Sequence, residues 1–223
     1  MKKFVKTKVF RISMYVLIAL LGMAICFAYG TFKPNFYIKD KLKEKYEKSL
    51  IAEWNSYGFI EPSIEYKTNI QFITSVGRCI DFLNLHLEPE KRIHRDIIIA
   101  MAVLETGYGK SRFAHEANNL FGIRVFKSTA PHLLPLGIEK WQGWGVRVFE
   151  TKCDSVKEYI RLLNEHPAYE DFRKMRAAMW AKNQKLDSKK LIKTLKAFST
   201  TTDYAERVIN MMSKIEKVQS SKE

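Results

Sequence analysis

The chain of 223 residues is 46% hydrophobic and 13% aromatic, enough apolar side chain for one ordinary domain plus an appendage, which excludes a wholly disordered protein. Its formal charge of +14 points to an anionic partner, yet the basic residues are mostly scattered lysines. No Arg-rich run, zinc finger or RNP box is present, so nucleic acid is not read as a partner.

At the N-terminus, Lys2, Lys3, Lys6, Lys8 and Arg11 precede an uncharged run of 21 residues, Ile12 to Phe32. A helix needs about 20 apolar residues to cross a bilayer. The basic flank keeps the N-terminus in the cytoplasm and sends everything after Lys33 across the membrane. A cleaved signal peptide fits less well, because its apolar region is roughly 7 to 15 residues and Cys26-Phe27-Ala28-Tyr29-Gly30 is a poor cleavage site. Lipid attachment at Cys26 is disfavoured by bulky Ile25 before it. Residues 1–33 therefore read as an uncleaved membrane anchor, with the remainder in the periplasm or extracytoplasmic space.

Residues 34–63 read as a spacer helix and linker. Leu42, Tyr46, Leu50 and Trp54 recur every four residues between Lys39 and Ser56, and Gly58, Pro62 and Ser63 break the pattern. The compact domain is expected over 64–218. Asn69 to Leu87 carries an apolar face of helical period, which Pro89 is expected to end. His94 to Leu104 is apolar almost all round, as in a buried central helix, and Gly107 and Gly109 supply its stop.

Between Leu120 and Phe149 the helical period gives way to Gly122, Pro131, Pro135, Gly137, Gly143 and Gly145 among short alternations, the pattern of a small β wing. Helices resume at Ser155-Val-Lys-Glu158, which fits a capping box, and His166-Pro167 closes that helix. Further helices are predicted over 170–182, 188–198 and 203–218, with a frayed tail beyond. The fold class is mainly α with a small β wing, preceded by the transmembrane helix. Of the three cysteines, Cys26 lies in the anchor, which leaves Cys79 and Cys153 as the one possible pair in the globular part; free buried thiols are the favoured reading. No metal or other cofactor is implied, since His86, His94, His115, His132 and His166 show no ligand spacing.

The chemistry centres on Glu105, which closes an apolar helix immediately before a Gly-x-Gly turn. A carboxyl group there meets partial desolvation and the negative end of the helix dipole, both of which raise its pKa. A neutral carboxyl is what a general acid needs to protonate a glycosidic oxygen. A glutamate that merely reaches solvent is the alternative.

The surrounding stretch LETGYGKSRFAHEANNLFGIR, Leu104 to Arg124, closely resembles the signature of the glycoside hydrolase family 73 glucosaminidases, especially their bacterial Bax branch. VRVFETKCDSVKEYIRLLNEHPAYEDFR, Val146 to Arg173, and the later STTTDYAERV extend the likeness. The resemblance implies a lysozyme-like fold, in agreement with the helix, wing, helix order, and a hydrolase of peptidoglycan glycan strands. It implies Glu105 as catalytic acid, Asn118 and Asn119 as the pair shaping the cleft, Tyr108 as a substrate-facing aromatic and Tyr204 as a tyrosine lining the site. Phe198 stands where many relatives have another tyrosine, and Gly122 is expected to set a turn.

For a second carboxylate, Glu139 lies 34 positions after Glu105, on the wing, where many relatives carry a base or nucleophile. Glu150 and Asp154 are the other candidates, and the substrate's own N-acetyl group is a further one. Trp141 and Trp144 either stack on sugar rings or pack the wing. The expected reaction is hydrolysis of the β-1,4 bond after N-acetylglucosamine; the rivals are lytic transglycosylation and a wall-binding scaffold without activity.

Overall fold

A computed structural model of the protein describes the backbone of residues 2–32, 36–182, 184–199 and 201–220. The chain divides into two units, Met1–Ile60 and Glu61–Glu223. The first holds α1 (Lys2–Phe32) and α2 (Phe36–Ser56). Within α1, Phe10–Phe27 is long and apolar enough to cross a membrane, and none of it is buried. α2 covers the predicted spacer helix and carries the exposed i,i+4 pair Glu44–Lys48 at 2.7 Å.

The second unit is mainly helical, with a short sheet to one side of the chain's helical core. Its helices are α3 (Asn69–Leu85), α4 (Arg95–Thr106), α5 (Arg112–Glu116), α6 (Lys152–Glu165), α7 (Glu170–Ala181), α8 (Ser188–Ile192) and α9 (Tyr204–Ser220). The wing is a three-stranded antiparallel sheet of β1 (Arg124–Val125), β2 (His132–Leu133) and β3 (Gly145–Arg147) in the order β1-β3-β2. In register, Val146 faces Arg124 on one side and Leu133 on the other.

α4 is the axis of the core. Every residue from Ile97 to Val103 is buried, as the unbroken apolar run predicts, and the helix packs against α3 and α9. α3 starts at a capping box in which Thr68 and Gln71 satisfy each other's backbone amides. It ends at Leu85, two residues short of the expected Leu87, and the Asn84 side chain reaches forward to donate to the Ile93 carbonyl at 3.1 Å. Pro89 instead opens a single 3-10 turn, where its missing N–H costs nothing.

Two helix boundaries differ from the sequence reading. The capping box of α6 is Thr151 with Asp154, one turn before Ser155 and Glu158. Ser155 is buried inside the first turn, donating to the Lys152 carbonyl and accepting from the Leu120 amide, while Glu158 pairs with Arg147 and Arg161. The helix predicted over 188–198 stops at Ile192. Leu195 and Phe198 then donate their amides to carbonyls three residues back, and these tight turns carry Leu195 into the core.

Cys79 and Cys153 are not free thiols. They form a disulfide with Cα atoms 5.9 Å apart, tying α3 to the first turn of α6. The closed loop spans a sequence separation of 74, for which chain entropy gives roughly 4 kcal/mol of stabilisation. Cys79→Ala is expected to lower stability by about 2–4 kcal/mol. Thermal unfolding of the wild type with and without reductant checks this: reduction should reproduce the loss in the wild type and leave the variant unchanged.

Candidate active site

The site is built on the turn after α4. Gly107, Tyr108 and Gly109 all adopt positive φ, 58°, 64° and 76°, so three successive residues take the left-handed conformation and reverse the chain. Tyr108, with a Cβ, enters that region at a cost of about 1–2 kcal/mol. Buried Thr106 holds the turn closed, donating its hydroxyl to the Ala102 carbonyl and accepting the Gly109 amide at 2.8 Å. Tyr66 adds a hydrogen bond to the Gly109 carbonyl at 2.8 Å, and a Cβ on Gly109 would collide with the Tyr66 and Phe72 rings. No other residue fits there.

Glu105 therefore leaves the end of α4 on a rigid support, two residues before the Gly107 cap. Its carboxylate accepts a hydrogen bond from the Tyr204 hydroxyl at 2.9 Å, across 99 residues of sequence. Glu105 as a whole residue is exposed, but its carboxylate is crowded on the side of α9, and the lost hydration raises its pKa above the ordinary glutamate value. The Tyr204 hydrogen bond and the charge of Arg207 pull the other way and only partly offset that rise. The Tyr204 phenol is pushed well up by its own burial and by Glu105, so it stays a donor.

Tyr204 is itself wedged in an aromatic column. Its ring lies 5.2 Å from Phe198, Phe198 meets Tyr159 edge-on at 5.6 Å, and Tyr159 stacks on Phe121 at 4.3 Å. Tyr159 donates its buried hydroxyl to the Met101 sulfur at 2.8 Å, which returns the column to α4. Tyr169, half-buried beside Tyr204 and Tyr159, belongs to the same group.

The paired asparagines attach the wing to this support. Asn118 sits at φ 50°, a left-handed position that asparagine tolerates better than most residues. Its amide donates to the carbonyls of Phe149 and Glu150 at 3.1 and 2.9 Å. Asn119, fully buried, donates to the Ile123 and Arg147 carbonyls and accepts from the Phe121 and Ile123 amides. With those four bonds made, the Asn119 side chain ties the backbone at both ends of the wing together and has no group left for a ligand. Gly122, at φ 63°, sets the turn between them.

The remaining predicted residues lie on the wing or beside the turn. Glu139 is exposed in the segment between β2 and β3. Of its rivals, Asp154 is consumed by the α6 cap, accepting from the Thr151 amide and hydroxyl at 2.9 Å each, and Glu150 is exposed. Trp141 is half-buried against the His132 ring at 4.6 Å, and Trp144 lies under the Arg124 guanidinium at 4.1 Å, so each tryptophan packs the wing on one face. Tyr108 is partly exposed, its ring edge-on to Phe72 at 6.5 Å.

Sequence reasoning missed Arg207, Tyr169 and Tyr159. Arg207 follows Tyr204 by three residues, one helical turn, and that spacing within a Tyr-Ala-Glu-Arg segment was the available signal. Tyr169 and Tyr159 carried none beyond aromatic character.

Two solved structures share this architecture. The catalytic domain of the autolysin Auto from Listeria monocytogenes superposes with a TM-score of 0.51 at 20% identity, covering 70% of this chain and 89% of that one. The glycoside hydrolase domain of FlgJ from Salmonella typhimurium gives 0.50 at 17% identity, covering 70% and 92%. The fold is thus that of a lysozyme-like glycoside hydrolase domain. Residues 85–217 match the profile of the glucosaminidase family, described as mannosyl-glycoprotein endo-β-N-acetylglucosaminidase, and the chain belongs to that family. Among curated relatives, the Bax protein of Escherichia coli is 34% identical over 117 residues, 52% of this chain and 40% of that protein. The peptidoglycan hydrolase FlgJ of Vibrio parahaemolyticus is 27% identical over 148 residues, 56% and 41%. The matches span about two fifths of either relative's length.

Two outcomes follow from the geometry. Asn119→Ala removes four hydrogen bonds to the buried and part-buried backbone of Phe121, Ile123 and Arg147 and should cost about 2–4 kcal/mol in urea unfolding. Tyr204→Phe removes a hydrogen bond that favours the ionised carboxylate, so the Glu105 pKa should move further up, as read by carboxyl-carbon NMR titration. An unchanged value would mean that the bond is not made in solution.

Proposed function

We propose that the chain is an extracytoplasmic hydrolase of peptidoglycan glycan, cleaving the β-1,4 bond after N-acetylglucosamine with Glu105 as general acid. The observation that carries this reading is a carboxyl group fixed at the end of a buried helix, its pKa raised by lost hydration and its orientation set by Tyr204. A general acid needs both, since it must hold its proton near neutral pH and aim it at one oxygen. Membership of the glucosaminidase family supports a glycosidase, and the name of the FlgJ relative supports peptidoglycan as the substrate.

In this reading Glu105 donates its proton to the departing glycosidic oxygen, while Tyr204 and Arg207 stabilise the carboxylate left behind. Glu139 on the wing, or the N-acetyl group of the sugar, stabilises the oxocarbenium-like centre. Tyr108, Trp141 and Trp144 offer their free faces to sugar rings, and Asn118 and Asn119 hold the floor between them. Export is supported twice over. α1 is apolar enough to anchor the protein in the inner membrane, behind a basic flank that stays inside. The Cys79–Cys153 disulfide suits an oxidising compartment such as the periplasm.

A lytic transglycosylase is the second reading, favoured by one observation: Glu139 is exposed, and no hydrogen bond or ion pair among the described residues fixes its carboxylate. Such an enzyme works with one acid and leaves anhydro sugar ends, which mass spectrometry of the digest separates from hydrolytic ends.

Glu105→Gln should abolish clearing of wall material on a zymogram, with a loss of at least a hundredfold in rate; a variant that still clears would refute the assignment. The same variant should not unfold more easily. The folded-state pKa of Glu105 lies above its unfolded value, so its contribution to stability is present at low pH and lost as pH rises through the folded value. Removing the charge at neutral pH therefore leaves Tm equal or higher, which distinguishes a functional residue from a structural one.

A further inference from the structure

Beside the turn that carries Glu105 lies an open hollow of about 840 Å³, lined in part by Tyr66, Lys67, Gln71, Arg78, His115 and Lys152. That volume falls within the roughly 300–1,000 Å³ common for ligand sites. Its charge is one-sided, three cations against the single carboxylate of Glu65. No ion pair among the described residues engages Lys67, Arg78 or Lys152.

Lys152 is the informative member. Half-buried, it donates to the Asn118 side-chain oxygen at 3.3 Å and stands over the Tyr66 ring at 5.8 Å. Loss of hydration pushes its pKa down, and Glu65 attracts it only through space. A partly buried ammonium held by one amide oxygen, a ring face and a distant carboxylate is compensated only in part, and a nearby anion would complete it.

The hollow touches the catalytic support at two points. Tyr66 lines it and bonds the Gly109 carbonyl, and Lys152 lines it and bonds Asn118, whose amide fastens the wing. A group seated there would lie against the same turn and the same asparagine that support Glu105. The lining also offers Thr74, Ser75 and Gln71 as hydrogen-bonding groups and Ile64 and Ile70 as apolar wall, a mixture that suits amide-linked residues better than a bare inorganic anion.

We propose that this hollow is a subsite for the carboxylate-bearing peptide branch of the glycan strand, so that the enzyme prefers strands that still carry their peptides. The proposal rests on the peptidoglycan reading above. Lys67 and Arg78 are exposed and engage in no fold-stabilising ion pair, so the double variant K67E/R78E of the full chain should fold normally, as circular dichroism would show. Its kcat/KM on peptide-bearing strands should fall about tenfold through KM, while its rate on strands stripped of peptide by an amidase should match the wild type within about twofold.

An equal loss on both substrates, no loss on either, or a wild type indifferent to the presence of peptide would each overturn the subsite. Failure of the underlying reading looks different: the wild type would then release no sugar fragments from either substrate, and Glu105→Gln would behave like it.

Discussion

The hydrogen bond from Tyr204 to Glu105 joins the end of α4 to the start of α9, and the rest of the domain is arranged so that these two ends meet. A glutamate in the last turn of a helix faces the negative end of the dipole and, here, a flank stripped of water. Left alone it would swing outward. The phenol gives it a reason to stay, and the phenol is fixed by the column of Phe198, Tyr159 and Phe121, anchored by the Tyr159 bond to Met101 within α4 itself. Core packing and the placement of Glu105 are thus one structure, because the ring stack that fills the space beside α4 also holds the phenol that bonds the carboxyl group.

Three effects compete at that carboxyl, and their order matters. Lost hydration is the largest and raises the pKa; the Tyr204 bond and then the Arg207 charge lower it. The result is an acid that holds its proton more firmly than an ordinary glutamate, yet whose conjugate base has partners at once when the proton leaves. A fully buried carboxyl would hold the proton too well to give it up. The exposure of the Glu105 residue is in this sense part of its tuning.

Much of this was legible in the sequence, and the boundary of legibility is physical. The unbroken apolar run of α4 followed by Gly-x-Gly specifies a buried helix with a sharp end, since glycine takes two of the three left-handed positions without penalty, and Glu105 is singled out by that pattern together with the family resemblance of the residues around it. The wing announced itself by the loss of helical period. What escaped was long-range. Nothing local distinguishes Cys79 and Cys153 from two buried thiols when 74 residues separate them, and only the packing of α3 on α6 brings their Cα atoms to 5.9 Å. The α6 cap was misplaced by one turn because Ser155 and Glu158 satisfy the same local pattern as Thr151 and Asp154; the choice was made by the core, which needs Ser155 inside to receive the Leu120 amide. The second catalytic group stayed open for the opposite reason: Glu139 lies where local pattern is weakest, in an exposed segment that the fold does not pin.

The disulfide that sequence could not supply also bears on the site. Cys153 follows Lys152 directly and stands two residues after Thr151, in the turn of α6 against which Asn118 and Leu120 are set. Fixing that turn to α3 fixes the floor on which the asparagines hold the wing, and it fixes Lys152 opposite Tyr66 across the hollow. A thiol pair would leave α6 held there by capping and packing alone, bonds that open locally far more readily than a covalent link. Reducing that bond would therefore loosen the support of the asparagines and of Lys152 together, through one link between two helices.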